Sequence, residues 1–278
     1  MALTALVHLL LLAQIVGSEL QHTVQRGDSL SKVGARYGVS TQELAEANGI
    51  ELTSVLRVGQ TLKVNTRHIV PSNFGASIVV NVPQRMLFFF SSNGPVQSFP
   101  VSAGRRGWKT PIGEFTVTNL ETDPTWDVPL SIQEEMRQQG KPVVTRVPPS
   151  PQNPLGKYWI GLSIPGVGIH GTNAPSSIYS LVTHGCVRLN PDDIEKLFSQ
   201  VETGVKGRMI YQPVLVVKED RSVFLEVHPD AYKTEPDPLS AVLATARMEQ
   251  YADLLDMTLV REVIRKQDGV ARDVTLRH

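Results

Sequence analysis

Residues 170 to 189 read His170-Gly-Thr-Asn-Ala-Pro-Ser-Ser-Ile-Tyr-Ser-Leu-Val-Thr-His-Gly-Cys186-Val-Arg-Leu189, and they decide how the rest of the chain is read. This stretch holds the single cysteine, Cys186, and two of the seven histidines, His170 and His184. A thiol attacks as thiolate, and at an ordinary pKa near ~8.5 only a few per cent is ionised at neutral pH, so a nucleophilic cysteine needs an imidazole or a cation beside it. Both histidines qualify. A lone cysteine is more often a small buried hydrophobe, but here the local composition weighs toward catalysis. A Cys/His2 zinc site has suitable ligand types, yet it lacks a fourth ligand and the paired spacing such sites use. No metal or cofactor is expected.

At 278 residues the chain suggests two domains, and 27 basic against 27 acidic residues leave no net charge to attract nucleic acid or an anionic membrane. Leu3 to Val16 form a mostly apolar run, too short to span a bilayer comfortably, followed by the small residues Gly17 and Ser18. We read residues 1–18 as a secretory signal cleaved after Ser18, although the segment before the apolar run carries no Lys or Arg. The expected location is the periplasm or cell wall. A secreted chain with one cysteine can form no internal disulfide, which leaves a free thiol to be explained.

Residues 22–64 look self-contained. A short strand at Thr23-Val24 and a closing strand at Thr61 to Val64 bracket two brief helices. The first helix starts after Asp28 or Ser29, buries Leu30, Val33 and Tyr37, and stops at Gly38; the second opens on the capping box Ser40 to Glu43 and ends at Asn48-Gly49. With Thr-Val-Gln-Arg-Gly-Asp-Ser-Leu30 and Leu-Arg-Val-Gly-Gln-Thr-Leu-Lys-Val64, the module resembles a LysM domain. The resemblance implies a βααβ fold binding N-acetylglucosamine-containing glycan through the loops that carry Gly27, Asp28, Ser29 and Leu30, and Asn48 and Ile50. The same residues also have turn and cap chemistry to perform. On this division, removing 22–64 should weaken binding to intact sacculi and spare reaction with short soluble muropeptides.

From Ser77 the pattern changes to short β-rich runs, Ile78 to Val82, Met86 to Ser91, Val96 to Ser102 and Glu114 to Asn119, with Asn93-Gly94 as a hairpin signal. Leu120 to Gly156 shows little periodicity beyond one helix, Leu130 to Gln139, and so long an irregular stretch in a compact domain reads as a lid. Asn190 caps a second helix with Pro191 at its first position and Ile194, Leu197, Phe198 and Val201 on one face. The expected fold class is mostly β with flanking helices, a catalytic domain over 76–213 and a strand and amphipathic helix, Leu239 to Arg265, in 214–278.

This second domain resembles the L,D-transpeptidase (YkuD-type) catalytic domain through Thr110-Pro-Ile-Gly-Glu-Phe115, Asn153-Pro-Leu-Gly156, His170-Gly-Thr-Asn-Ala-Pro175 and Thr183-His-Gly-Cys-Val-Arg188. Tyr179 and Leu181 depart from the pattern, where relatives often have Gly and Pro. The resemblance implies a cysteine acyltransferase. Cys186 would form a thioester with a peptidoglycan stem tetrapeptide, releasing the terminal D-alanine, and pass it to an amine on a second stem or on a wall-anchored lipoprotein. It gives the base role to His170, with the Gly171 carbonyl holding the ring, and makes carbapenems covalent inhibitors; His184, two residues from Cys186, is the alternative base or frames the pocket. Backbone N–H groups at Gly185 and Cys186 are the expected oxyanion donors. Arg188 is a candidate for a substrate carboxylate or, equally, an internal acid. Thr172, Asn173, Thr183 and Trp126 are candidates for shaping the substrate site. The rival readings are a cysteine carboxypeptidase or amidase, and an inactive glycan-binding protein.

Overall fold

The computed structural model describes residues 14–91, 94–234 and 237–277. Its centre is a sheet that closes on itself. In spatial order the strands are Leu181–Thr183, Gln97–Gly104, Val187–Leu189, Gly168–His170, Tyr158–Leu162, Gly113–Thr122, Lys206–Ile210, Ile78–Asn81 and Met86–Phe89, and the last pairs back onto Gln97–Gly104. Closure removes the free edges of the central strands, and Leu181–Thr183 adds a parallel flank to Gln97–Gly104. Inward residues such as Ile78, Val80, Leu87, Phe99, Val101, Ile160 and Ile169 fill the interior. The helix Pro191–Phe198 lays Ile194 and Leu197 on the same core, as its apolar stripe predicts. The hairpin expected around Asn93-Gly94 is realised as Met86–Phe89 against Gln97–Gly104, although Asn93 itself lies outside the described residues.

The LysM-like module has the expected βααβ order: strand Glu19–Thr23 paired with Thr61–Asn65, and helices Leu30–Tyr37 and Thr41–Ala47. Its turn chemistry follows the sequence. Ser29 Oγ accepts from Lys32 N, Gly38 turns left-handed at φ +70°, and Ser40 Oγ accepts from Glu43 N at 3.1 Å.

The module packs directly on the barrel. Ala35 of its first helix is buried with Val70, Met86, Phe88, Ile178 and Tyr179. Met86 and Phe88 are the outward faces of a barrel strand, so this docking explains why that strand is apolar on both sides rather than alternating. A Cβ on Gly38 would stand 3.1 Å from Met86 Sδ and 3.2 Å from Pro100 Cγ. Tyr179 adopts φ +62°, the conformation that glycine supplies elsewhere, and its ring is held beneath the Arg85 guanidinium at 4.1 Å.

Both ends of the described chain add paired structure. Ile15 and Val16, assigned above to a leader, pair with His68–Ile69, and the Val70 N–H donates to the Gln14 carbonyl at 2.7 Å, so a cut after Ser18 would remove a paired strand. The remainder of that apolar run, residues 1–13, lies outside the described residues. The C-terminal part is a third layered unit, with strands Val214–Glu219, Ser222–Val227 and Arg272–Asp273 under two helices, Pro238–Met248 and Met257–Lys266. The single helix read from Leu239 to Arg265 breaks because Gln250 turns to φ +60° and Asp256 caps a new start at Thr258 N, 2.8 Å away.

Glu226 joins all three parts. Fully buried, it accepts from His68 Nδ1 and His228 Nε2 at 2.8 Å each, Ile69 N at 2.6 Å and Gln84 Nε2 at 3.0 Å. Burial alone would raise this carboxyl, but the charges and hydrogen bonds of His68 and His228 hold it at about 2. The other ring nitrogen of His68 faces the Gly38 carbonyl at 3.0 Å.

Candidate active site

Parallel pairing of Gly168–His170 with Val187–Leu189 sets Ile169 beside Val187 and His170 beside Arg188. Successive strand residues point to opposite faces. Ile169, Val187 and Leu189 therefore enter the core, and His170, Arg188 and Cys186 turn to the other side, where they line one cavity of about 580 Å³. Gly166, Val182, Thr183 and His184 complete the barrel wall of that cavity. Pro124, Trp126 and Ile132 close it from a flap in which Trp126–Asp127 pairs with Arg146–Val147 and the helix Leu130–Gln138 lies between.

His170 is 4% exposed, and its Nδ1 lies 2.7 Å from the Gly171 carbonyl. A carbonyl only accepts, so Nδ1 carries the proton and Nε2 keeps its lone pair. Trp159 stacks on the ring at 5.9 Å and 24°, a packing that requires Gly168, where a Cβ would strike the indole at 2.3 Å. Burial, with the Arg188 charge, pushes His170 down from 6.5 to about 4. Burial raises the Cys186 thiol, while the Gly168 backbone and Arg188 oppose the rise. Both shifts favour the uncharged forms of the two groups, and the thiol donates to the Gly166 carbonyl at 3.6 Å.

A depressed His170 carries a pH signature. The unfolded chain takes up this proton near 6.5 and the folded chain near 4, so the stability contribution is intact above 6.5 and declines as pH falls toward 4. For the free protein, acylation by an uncharged reagent should stay level on the acid side to about pH 5 and fall as pH approaches 4. A limb centred at 6.5 in a pH series of acylation rates would show that His170 is not held neutral.

The turn before the thiol is pinned by side chains. Thr183 Oγ1 donates to the Cys186 carbonyl at 2.6 Å and accepts the Gly185 N–H at 3.2 Å. Thr110 Oγ1 donates to the Gly185 carbonyl at 2.9 Å, and Tyr232 supports Thr110 by accepting its N–H at 3.1 Å while donating to Gly104 O at 2.7 Å. Gly185 stands at φ +112°, a geometry closed to other residues without strain. The Gly185 N–H is therefore occupied. Of the two backbone donors expected from the sequence, the one at Cys186 remains.

His184 faces the flap. Its Nε2 lies 2.6 Å from Glu135 Oε2, Arg105 Nη2 is 3.0 Å away, and the Trp108 ring packs at 5.0 Å. Arg188 donates to Ser177 Oγ at 2.9 Å, its Nε is buried without a partner, and no acid pairs with it among the described residues. Thr183 and Trp126 line the cavity. Thr172 and Asn173 do not: Thr172 Oγ1 accepts from Ala174 N at 2.9 Å and Asn173 Nδ2 donates to Gln152 O at 2.8 Å, which is turn chemistry.

The glycan-site candidates divide in the same way. Asp28 is half-buried, accepting from His22 Nε2 and Gln25 N at 2.8 Å, and Asn48 bonds Leu44 O and both backbone groups of Lys63. Ser29 is the helix cap, Leu30 is core, and Ile50 packs against that core. Gly27 is a turn at φ +89°. In the neighbouring loop Leu52, Val55 and Val58 are the exposed apolar groups, with Val55 90% exposed.

Comparison with known proteins matches residues 75–216 to the L,D-transpeptidase catalytic domain and residues 22–65 to the LysM domain. The chain belongs to the L,D-transpeptidase family. The protein named probable L,D-transpeptidase ErfK/SrfK of Salmonella typhimurium is 31% identical over 95% of this chain and 88% of its own length. The one named probable L,D-transpeptidase YcfS of Escherichia coli is 31% identical over 94% and 85%. Among solved structures, the catalytic domain of the E. faecium L,D-transpeptidase acylated by ertapenem matches 48% of this chain and 95% of that domain at 23% identity and TM-score 0.37. The transpeptidase domain is mostly β, as expected. The sequence marks Trp159 only as a core or loop anchor and gives no role to Glu135, Arg105 or Tyr232; Thr110 stands in a quoted motif, without a role.

Proposed function

We propose that the protein is an envelope L,D-transpeptidase acting on peptidoglycan through a Cys186 thioester. The observation that carries this reading is the shared cavity of Cys186 and His170, with Nδ1–H committed to Gly171 and Nε2 free to take a proton. His170 Nε2 accepts the thiol proton as Sγ bonds to the carbonyl preceding the terminal D-alanine, with the Cys186 N–H as a donor to the developing oxyanion. The same proton passes to the departing D-alanine nitrogen, leaving a thioester. An acceptor amine then attacks, its proton returns through His170, and the thiol is restored. Arg188, cationic and without an acid partner, is available for a stem carboxylate. The LysM domain supplies affinity for the glycan, and the acceptor is a second stem or a wall-anchored lipoprotein.

Intact-mass spectrometry with a carbapenem tests the first half. Addition of the thiol across the β-lactam has no leaving group, so one whole inhibitor mass should appear, mapped to Cys186. With a tetrapeptide donor and an amine acceptor, the expected product is the 3→3-linked dimer with one D-alanine released. A free tripeptide as sole product would make the protein a carboxypeptidase, and an unlabelled Cys186 would reject the nucleophile.

A further inference from the structure

The flap meets the barrel at two places with different chemistry. At its hinge Asn153 Nδ2 donates to the Pro124 carbonyl at 2.8 Å, an ordinary loop closure. At its far side the helix Leu130–Gln138 carries one carboxylate to His184, a residue of the cavity wall. Both oxygens of Glu135 accept from Arg105 Nη2 at 2.8 Å, and Oε2 also accepts from His184 Nε2 at 2.6 Å. Arg105 is itself tied to the nucleophile turn, because its backbone N–H donates to the Thr183 carbonyl at 3.1 Å. Trp108, three residues on, closes over the His184 ring. One flap residue thus reaches both the turn before Cys186 and the segment that supports that turn.

We propose that Glu135 is a positioning residue of the transpeptidase: by holding His184 and Arg105 from the flap, it sets the Thr183–Cys186 turn and closes the flap over the thiol in one event. The inference rests on Cys186 being the nucleophile. It also gives His184 a role other than base, since the proton on Nε2 is committed to the flap. The site is organised only when the flap is down, so the acyl-enzyme is both made and shielded from water in the same state. The clamp is also durable. Arg105 first, and then His184, hold the Glu135 carboxyl at about 2, which favours the carboxylate the clamp needs.

The test uses the full chain and compares wild type with Glu135→Ala and Glu135→Gln in stopped-flow acylation by a carbapenem. Hydrogen exchange of peptides from residues 124–149 and melting temperature are followed in parallel. A misplaced reacting group costs up to about 100-fold. We expect the limiting acylation rate of Glu135→Ala to fall by about tenfold or more, with the half-saturating concentration within about threefold of wild type. Glu135→Gln, which still offers an oxygen to His184 but no charge to Arg105, should fall between the two. Flap peptides should exchange about tenfold faster in Glu135→Ala with the melting temperature within a few degrees. A purely structural residue would lower rate and melting temperature together, and that result overturns the proposal. So does a flap that exchanges faster while the limiting rate stays at the wild-type value. If wild type forms no Cys186 adduct, the nucleophile assignment falls and takes the inference with it. If wild type is labelled and Glu135→Ala is labelled equally fast, only the inference falls.

Discussion

Cys186→Ala is expected to take no carbapenem adduct and to release no D-alanine from a stem tetrapeptide, a loss on the order of 10⁶ in turnover when a covalent nucleophile is removed. The protein should stay folded. The turn is held through the backbone carbonyls of Cys186 and Gly185 by Thr183 and Thr110, and alanine keeps both. His170→Ala should lose nearly as much, because the nucleophile and its base act as one unit. His184→Ala should lose far less, in keeping with a ring engaged by Glu135 rather than by the thiol. Stopped-flow acylation ranks the three. If His184→Ala proves slower than His170→Ala, the base assignment passes to His184. Residual D-alanine release by Cys186→Ala would mean that a different group attacks.

Deleting residues 22–64 should destabilise the catalytic domain, contrary to what a freely appended module would do. The deletion uncovers Met86, Phe88, Ile178 and Tyr179, removes Ala35 from among them, and takes Glu43 from Arg272, to which it pairs at 2.6 Å. At about 1.5–3 kcal/mol for each large side chain fully exposed, partial exposure of four amounts to roughly 5 kcal/mol. With about 2–4 °C per kcal/mol for chains of this size, the melting temperature should drop by about 10 °C or more. Tyr179 lies in the loop between His170 and Cys186, so acylation by a small soluble β-lactam should slow as well. A truncated protein that melts within a few degrees of wild type and acylates at the same rate would restore the picture of an independent module.

The parts legible in the sequence were those whose partners are close along the chain or periodic. Helix caps at Ser29 and Ser40, the stripe on Pro191–Phe198 and the His170-to-Cys186 span follow local rules, and local rules survive folding. What the sequence concealed depends on distant pairing. Glu135 and His184 stand 49 residues apart, and nothing in the aperiodic flap indicates that its helix faces the nucleophile. The docking of the LysM domain was hidden because its contact uses Ala35 and Gly38, small residues that read as helix filler and cap, not as an interface. Tyr179 looked like a departure from a flexible Gly-Pro loop. Once seen against Arg85 and Ala35 it is an anchor, and the left-handed backbone that a glycine would give is supplied under packing. The break at Gln250 rests on a single positive φ that composition does not announce.

Support for the nucleophile turn comes from the end of the chain. Tyr232 braces Thr110 and Gly104, and Glu226 gathers His68, Gln84 and Ile69, so residues made last hold residues made first. Along the chain Glu226 follows Cys186 by 40 residues and Tyr232 follows it by 46. A chain interrupted before Tyr232 therefore keeps the Thr183 bonds of the turn but lacks the hydroxyl that fixes Thr110 and Gly104 behind it.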